Sequence, residues 1–112
     1  MIKFADFQKL DIRIGKVLRV EKVEGTDKLY KLEIEFGPSI NSGQPLQVIA
    51  GLADKFSAKE LKDQLFPFVV NLEPAKIRGL ESQAMILAVE DENKNLALLK
   101  PSCDLKPGSK IV

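Results

Sequence analysis

The chain predicts an all-β fold, a five-stranded barrel with one short helix and a C-terminal strand extension. Three observations lead there. Tyr30, Leu32, Ile34 and Phe36 alternate with Lys31, Glu33 and Glu35, the period-two pattern of a half-buried strand. Further short apolar segments are separated by turns and loops rich in Gly, Pro, Asn and Ser. A helix-start signature, Ser57-Ala-Lys-Glu60, falls between the third and fourth of these segments.

The first strand covers residues 10–23, where Leu10, Ile12, Ile14, Leu18 and Val20 are apolar and Gly15 is the expected bend or bulge. Glu24-Gly-Thr-Asp27 turns the chain into the second strand, residues 30–36. Residues 37–45 form a loop, and residues 46–50 a third strand ending at Gly51. Residues 57–64 read as a short helix, because Ser57 can accept from the Glu60 amide while Glu60 reaches back. The fourth strand is 66–72, the fifth 82–90, and a turn at 91–95 leads to a sixth short strand at 96–99. A loop at 101–108 returns the chain to Lys110, Ile111 and Val112. Three strands, a helix between strands 3 and 4, and two more strands, extended at each end, is the order of an OB-fold barrel whose helix plugs the open end.

At 112 residues the chain fits one domain, 1–112. Seventeen basic and sixteen acidic side chains leave a net charge of +1, so affinity for nucleic acid must come from local placement of charge. One cysteine, Cys103, and no histidine exclude an internal disulfide and the usual zinc or iron–sulfur ligand sets, and remove the commonest general base. A non-catalytic protein without a cofactor is expected. The start, Met-Ile-Lys-Phe-Ala-Asp, lacks a signal-peptide pattern and the apolar runs are short, which reads as a cytoplasmic protein with no membrane association.

The richest functional segment is 71–87, a Pro- and Gly-punctuated loop between two apolar strands that carries Lys76 and Arg78. If its backbone is extended, both cations project to one side and can grip adjacent phosphates, Arg with a fork of donors and Lys as a point charge. They can equally pair with Glu73 and Glu81 on a solvated surface. Ser82 and Gln83 offer adaptable hydrogen bonds to a base or ribose, and Met85 can cover a base face or fill the core. Asn71 can serve a ligand or satisfy backbone at a strand end. Lys16, Lys28 and Lys31, with Arg13, Arg19 and Lys22, either line a basic groove or belong to a mixed-charge face with Asp11, Glu21, Glu24 and Asp27. Few aromatics accompany them: Tyr30 falls in phase with the core and there is no Trp, so stacking of several splayed bases is poorly supported. Glu90-Asp-Glu92 reads as solvated surface at a turn.

Taken in register, Phe4-Ala-Asp-Phe7, Lys9-Leu-Asp-Ile-Arg-Ile-Gly15, Gly25-Thr-Asp-Lys-Leu-Tyr30, Ile49-Ala-Gly51, Asn71-Leu-Glu-Pro-Ala-Lys-Ile-Arg-Gly79, Ser82-Gln-Ala-Met85 and Leu105-Lys-Pro-Gly108 span almost the whole chain. In these segments it resembles the tRNA-binding domain found at the C-terminus of methionyl-tRNA synthetases, in their beta subunits, in free-standing tRNA-binding proteins and in CsaA-type chaperones. The resemblance implies an OB barrel, and a homodimer joined through terminal segments that would bury Ile2, Phe4, Ile111 and Val112. It carries a tRNA site onto Asn71, Lys76, Arg78, Ser82 and Met85. It also implies recognition of folded tRNA shape, in support of a methionyl-tRNA synthetase catalytic subunit and without catalysis by this chain. Ala84 stands where the family commonly has Gly, and the 37–45 loop is longer than usual. Two competing readings are a homodimeric chaperone, which needs an exposed apolar patch, and a purely structural dimerisation module.

Overall fold

The computed structural model describes residues 1–112. Helix α1, Phe4–Gln8, leads into strands β1, Ile12–Lys22, and β2, Tyr30–Glu35. A 3-10 turn at Asn41–Gly43 precedes β3, Leu46–Ala50, and helix α2, Ala58–Leu61, precedes β4, Leu65–Val69. Five short strands follow: β5, Ala75–Ile77; β6, Leu80–Ser82; β7, Met85–Ile86; β8, Ala88–Glu90; and β9, Leu96–Leu98. The main sheet is antiparallel in the order β3-β2-β1-β4-β7, with β5–β6 and β8–β9 as separate hairpins. It curls into the expected OB-type barrel.

The alternation in β2 places Tyr30, Leu32, Ile34 and then Phe36 in the core beside Val17, Val48, Phe66 and Phe68. Phe36 and Phe68 meet edge to face, 5.4 Å between ring centroids and 89° between planes. Helix α2 contributes Leu61 to this core, as a plug should. Its capping box is formed: the Glu60 N–H donates to Ser57 Oγ at 3.2 Å, and the Ser57 N–H donates to Glu60 Oε1 at 2.9 Å.

Strand β1 serves two walls. Ile12–Lys16 pair with β4 and Lys16–Lys22 with β2, so the strand changes partner one residue after Gly15. The register shift, however, lies at Leu18, between Val17 and Arg19, and not at Gly15. Gly15 has a different role: a Cβ there would sit 2.5 Å from Ile34 Cγ2 and 2.6 Å from Phe36 Cε1, so its absence lets β2 close against β1. The C-terminal extension follows the N-terminal half of β1. Ile14 N–H donates to Ser109 O, Gly108 N–H to Ile14 O, and Ile111 N–H to Ile12 O.

Three further expectations are corrected. The helix is shorter than 57–64, because Asp63 turns to a positive φ of 64° and residues 63 and 64 bond to Val17 instead. The fifth strand is not continuous over 82–90: it pairs in turn with β5, β4 and β9, and breaks at each change of partner. The 71–87 loop contains the β5–β6 hairpin. Helix α1 was not anticipated; its start is held by the Asp6 carboxylate, which accepts from the Lys3 N–H.

Candidate functional site

The β5–β6 hairpin turns through Arg78 and Gly79, whose φ values of 52° and 78° are both positive, as a type I′ turn requires. Pairing puts Ala75 opposite Ser82, Lys76 opposite Glu81, and Ile77 opposite Leu80. Because side chains alternate along a strand, Ala75 and Ile77 share one face and Lys76 takes the other. Lys76 and Arg78 therefore do not form the same-side pair that an extended loop would give. Lys76 is exposed on the outer face across from Glu81, and Arg78 is at the tip in a left-handed conformation.

The Arg78 guanidinium crosses to the β1–β2 turn, where Nη2 donates to Gly25 O at 2.6 Å. This joins the hairpin tip to the turn that carries Lys28. Neither Lys76 nor Arg78 pairs with Glu73 or Glu81 within ion-pair distance; the ion pairs lie elsewhere.

The base of the hairpin is fixed against β3. Ser82 is buried; its hydroxyl accepts from the Ile49 N–H at 3.0 Å and donates to Ala84 O at 3.0 Å. The Gln83 N–H donates to Gln47 O at 2.7 Å, Gln83 Oε1 accepts from the Gln47 N–H at 2.8 Å, and Gln47 Nε2 donates to Glu81 O at 2.8 Å. β3 and β7 have no ladder between them, so these bonds close the barrel's seam. The Ser82 hydroxyl and Gln83 Oε1 are thus committed to backbone groups of the fold. Asn71 behaves in the same way: Oδ1 accepts from the Asp11 N–H and Nδ2 donates to Lys9 O, tying the end of β4 to the start of β1.

Beneath the hairpin lies a groove of about 410 Å³, lined among others by Ile49, Leu52, Leu72, Ile77 and Met85. Glu73 is its one charged lining residue. Met85 is 47% exposed here, so it is a wall of the groove and not core filling.

The other candidate cations divide. Lys16 lies across from Glu35, Arg19 from Glu33 and Lys31 from Glu21 on the outward face of β1 and β2, and Lys31 pairs with Glu21 at 3.5 Å. That is the mixed-charge face, not a basic groove. Lys28, on the turn, and Lys76, on the hairpin, are exposed and make no ion pair. The two carboxylates with depressed pKa values are remote from this site. Glu60 is lowered by the bonds it receives from Ser57, and Asp91 by those from Asn95.

Where the two chain termini come together, Phe4, Phe7, Leu10, Ile111 and Val112 line a second apolar cleft of about 310 Å³. Phe4 is 70% and Val112 99% exposed.

Gln47 and Gly25 were not singled out from the sequence as parts of a site. Nothing local marks Gln47, whose role depends on a partner 36 residues away. The Arg78-Gly79 dipeptide could have been read as a turn, since a glycine after a polar residue between short strands is a hairpin signal.

A family model described as "Putative tRNA binding domain" matches residues 12–110. The methionine–tRNA ligase of Methanosarcina acetivorans is 42% identical over 110 residues, which cover 98% of this chain and 15% of the ligase. That of Archaeoglobus fulgidus is 43% identical over 110 residues, 98% of this chain and 16% of the ligase. The chain thus spans a small part of the length of these relatives. Among solved structures, a MetRS-related protein from Pyrococcus horikoshii superposes with a TM-score of 0.91 at 31% identity, covering 100% of this chain and 98% of that one. The chaperone CsaA of Bacillus anthracis superposes with a TM-score of 0.88 at 32% identity, covering 100% and 99%.

Proposed function

The chain belongs to the tRNA binding domain family, and from that premise we propose that it is a non-catalytic module that recognises the folded shape of tRNA and assists a methionyl-tRNA synthetase, in trans or as its beta subunit. The observation that carries this reading is the Arg78–Gly25 contact, which sets two loops side by side with Lys28 and Lys76 exposed and unpaired on them. In an OB barrel these are the loops that border the usual oligonucleotide face. A few phosphate contacts with little stacking surface position a nucleic acid without reading its bases. In this proposal Lys28 and Lys76 contact phosphate, Met85 offers an apolar contact, and Ser82, Gln83 and Asn71 act through the backbone they hold. Lys31 contributes little, being ion-paired with Glu21, and Lys16 lies at the end of the β1–β2 ladder away from the turn.

The exposed terminal cleft supports a homodimer formed through Phe4, Ile111, Val112 and their neighbours, which would present two RNA sites on one particle. A cytoplasmic location fits this role.

The test compares binding of folded bulk tRNA, heat-unfolded tRNA and an unstructured RNA across a salt series, for the parent and for Lys28→Ala/Lys76→Ala. Folded tRNA should bind best, and the double substitution should weaken it and shrink the log–log salt slope by roughly 0.9 for each lost phosphate contact. Equal, weak binding of all three RNAs with an unchanged variant would overturn the reading.

A second reading has its own observation. The apolar groove under the hairpin suits the hold of an unfolded chain, as a CsaA-type chaperone would require. Suppression of aggregation of a denatured client by the parent but not by Met85→Lys, with tRNA binding absent, would select it. A purely structural dimerisation module would show neither activity.

A further inference from the structure

We propose that Arg78 is a positioning residue, which latches the tip of the β5–β6 hairpin to the β1–β2 turn and thereby sets the distance between the phosphate-contacting Lys76 and Lys28. The inference rests on the tRNA-binding reading and assigns Arg78 a different task from the phosphate grip its charge first suggests.

Four observations converge on it. Arg78 holds a φ of 52°, a conformation for which a type I′ turn ordinarily selects Asn, Asp or Gly. The turn alone gives no reason for an arginine, so the side chain must supply one. Its Nη2 donates to Gly25 O at 2.6 Å, a charge-assisted bond across 53 residues of sequence. Gly25 itself has a φ of 82°, which favours glycine at the turn, and a Cβ there would lie 3.0 Å from Arg78 Nη2, so the guanidinium occupies the space beside it.

The fourth observation is the asymmetry of the hairpin's attachments. Its base is fixed to β3 by Ser82, Gln83 and Gln47, whereas its tip has the Arg78–Gly25 bond as its side-chain tie to the neighbouring turn. A two-stranded hairpin with three residues per strand is marginal by itself. Without the latch the tip would swing, and Lys76 with it. Lys28, by contrast, sits on a turn whose carbonyl is already bonded to Ala53 N–H at 3.0 Å. One cation stands on a fixed turn and the other on a strap, and Arg78 joins the two.

A positioning residue and a phosphate ligand respond differently to salt. Loss of a ligand reduces the number of counterions released and hence the slope, by about 0.9 per contact. Loss of a positioning residue reduces the competent fraction and leaves the slope in place; a fall of that fraction to about a tenth raises Kd about tenfold. The experiment therefore measures folded-tRNA affinity across a salt series for the parent, Arg78→Asn, Arg78→Lys, Gly25→Ala and the Gly25→Ala/Arg78→Asn pair. Arg78→Asn keeps a residue suited to the turn, and Gly25→Ala leaves the cation in place. Amide hydrogen exchange of residues 75–82 is followed in the same proteins without RNA.

The expected result is a similar loss, about tenfold, for Arg78→Asn and Gly25→Ala, no additivity in the pair, an undiminished slope, faster exchange in the hairpin, and little rescue by Arg78→Lys. A reduced slope for Arg78→Asn with full affinity for Gly25→Ala would overturn the proposal in favour of direct phosphate contact. If the parent fails to bind tRNA, the functional reading falls while the latch is judged on exchange alone. Faster, non-additive exchange in the two variants then upholds it, and unchanged exchange removes it.

Discussion

Gln83 and Gln47 are bonded to each other twice: the Gln83 N–H donates to Gln47 O at 2.7 Å, and the Gln47 N–H donates to Gln83 Oε1 at 2.8 Å. A side chain thus stands in for a strand at the barrel's open seam. Two residues along β3, the Ser82 hydroxyl does the same for the Ile49 N–H. A curled sheet with an unpaired edge invites pairing with another chain, and this seam is closed without a ladder.

Ser82→Ala should leave the buried Ile49 N–H without a partner, at a cost of about 1–3 kcal/mol. Urea unfolding should show a lower midpoint with an unchanged m value, while an exposed control such as Ser102→Ala should shift neither. An unchanged midpoint for Ser82→Ala would mean that the seam does not depend on this hydroxyl.

Gly15→Ala should destabilise the barrel by roughly 1–3 kcal/mol, because the added methyl meets Ile34 and Phe36 inside a packed core. Thermal unfolding would report it. A companion Ile34→Ala change removes the opposing Cγ2, so the double variant should lose less than the sum of the two single changes.

The hairpin β8–β9 should loosen in acid. The Asp91 carboxylate accepts from Asn95 Nδ2 and from the N–H groups of Asn95 and Asn93, which lowers its pKa below the ordinary 3.8. The folded form therefore binds its proton less readily than the unfolded form does. Its stabilising contribution is complete above pH 3.8 and is lost as pH falls through the depressed folded value. NMR titration of the Asp91 carboxyl, together with hydrogen exchange at Asn93 and Asn95, should show the two changing together. Glu60 follows the same sign, through its bond with Ser57 at the start of α2.

Phe4→Asp should convert the proposed homodimer to a monomer in sedimentation velocity, since Phe4 is 70% exposed and lines the terminal cleft with Ile111 and Val112. A parent that sediments as a monomer at all concentrations would overturn the dimer. If the dimer is the RNA-binding form, the same change should also lower the avidity of tRNA binding.

Much of the barrel was legible because its signals are local. The period-two pattern of 30–36 appears as the buried face of β2, and the Ser57/Glu60 spacing as a formed capping box. Gly15 is ambiguous in the sequence: a glycine in a strand marks either a bulge or a close approach, and the choice depends on where Phe36 and Ile34 come to rest. The fifth strand is broken for a related reason. The unbroken apolar run at 84–89 reads as a strand, but it does not say that the segment changes partner along its length.

The candidate site divides along the same line. By itself the sequence determined the residue types near the site, the loop that carries Lys76 and Arg78, the exposed terminal apolar residues and the family resemblance. Tertiary structure decided what each group does. It committed Ser82, Gln83 and Asn71 to backbone partners, paired Lys31 with Glu21, kept Lys16 on the mixed-charge face, and left Lys28 and Lys76 exposed on neighbouring loops. The physical reason is range. Hydrophobic periodicity and turn chemistry act over a few residues, whereas Arg78 meets Gly25 across 53 residues and Gln83 meets Gln47 across 36, by bonds that exist only once the barrel has closed.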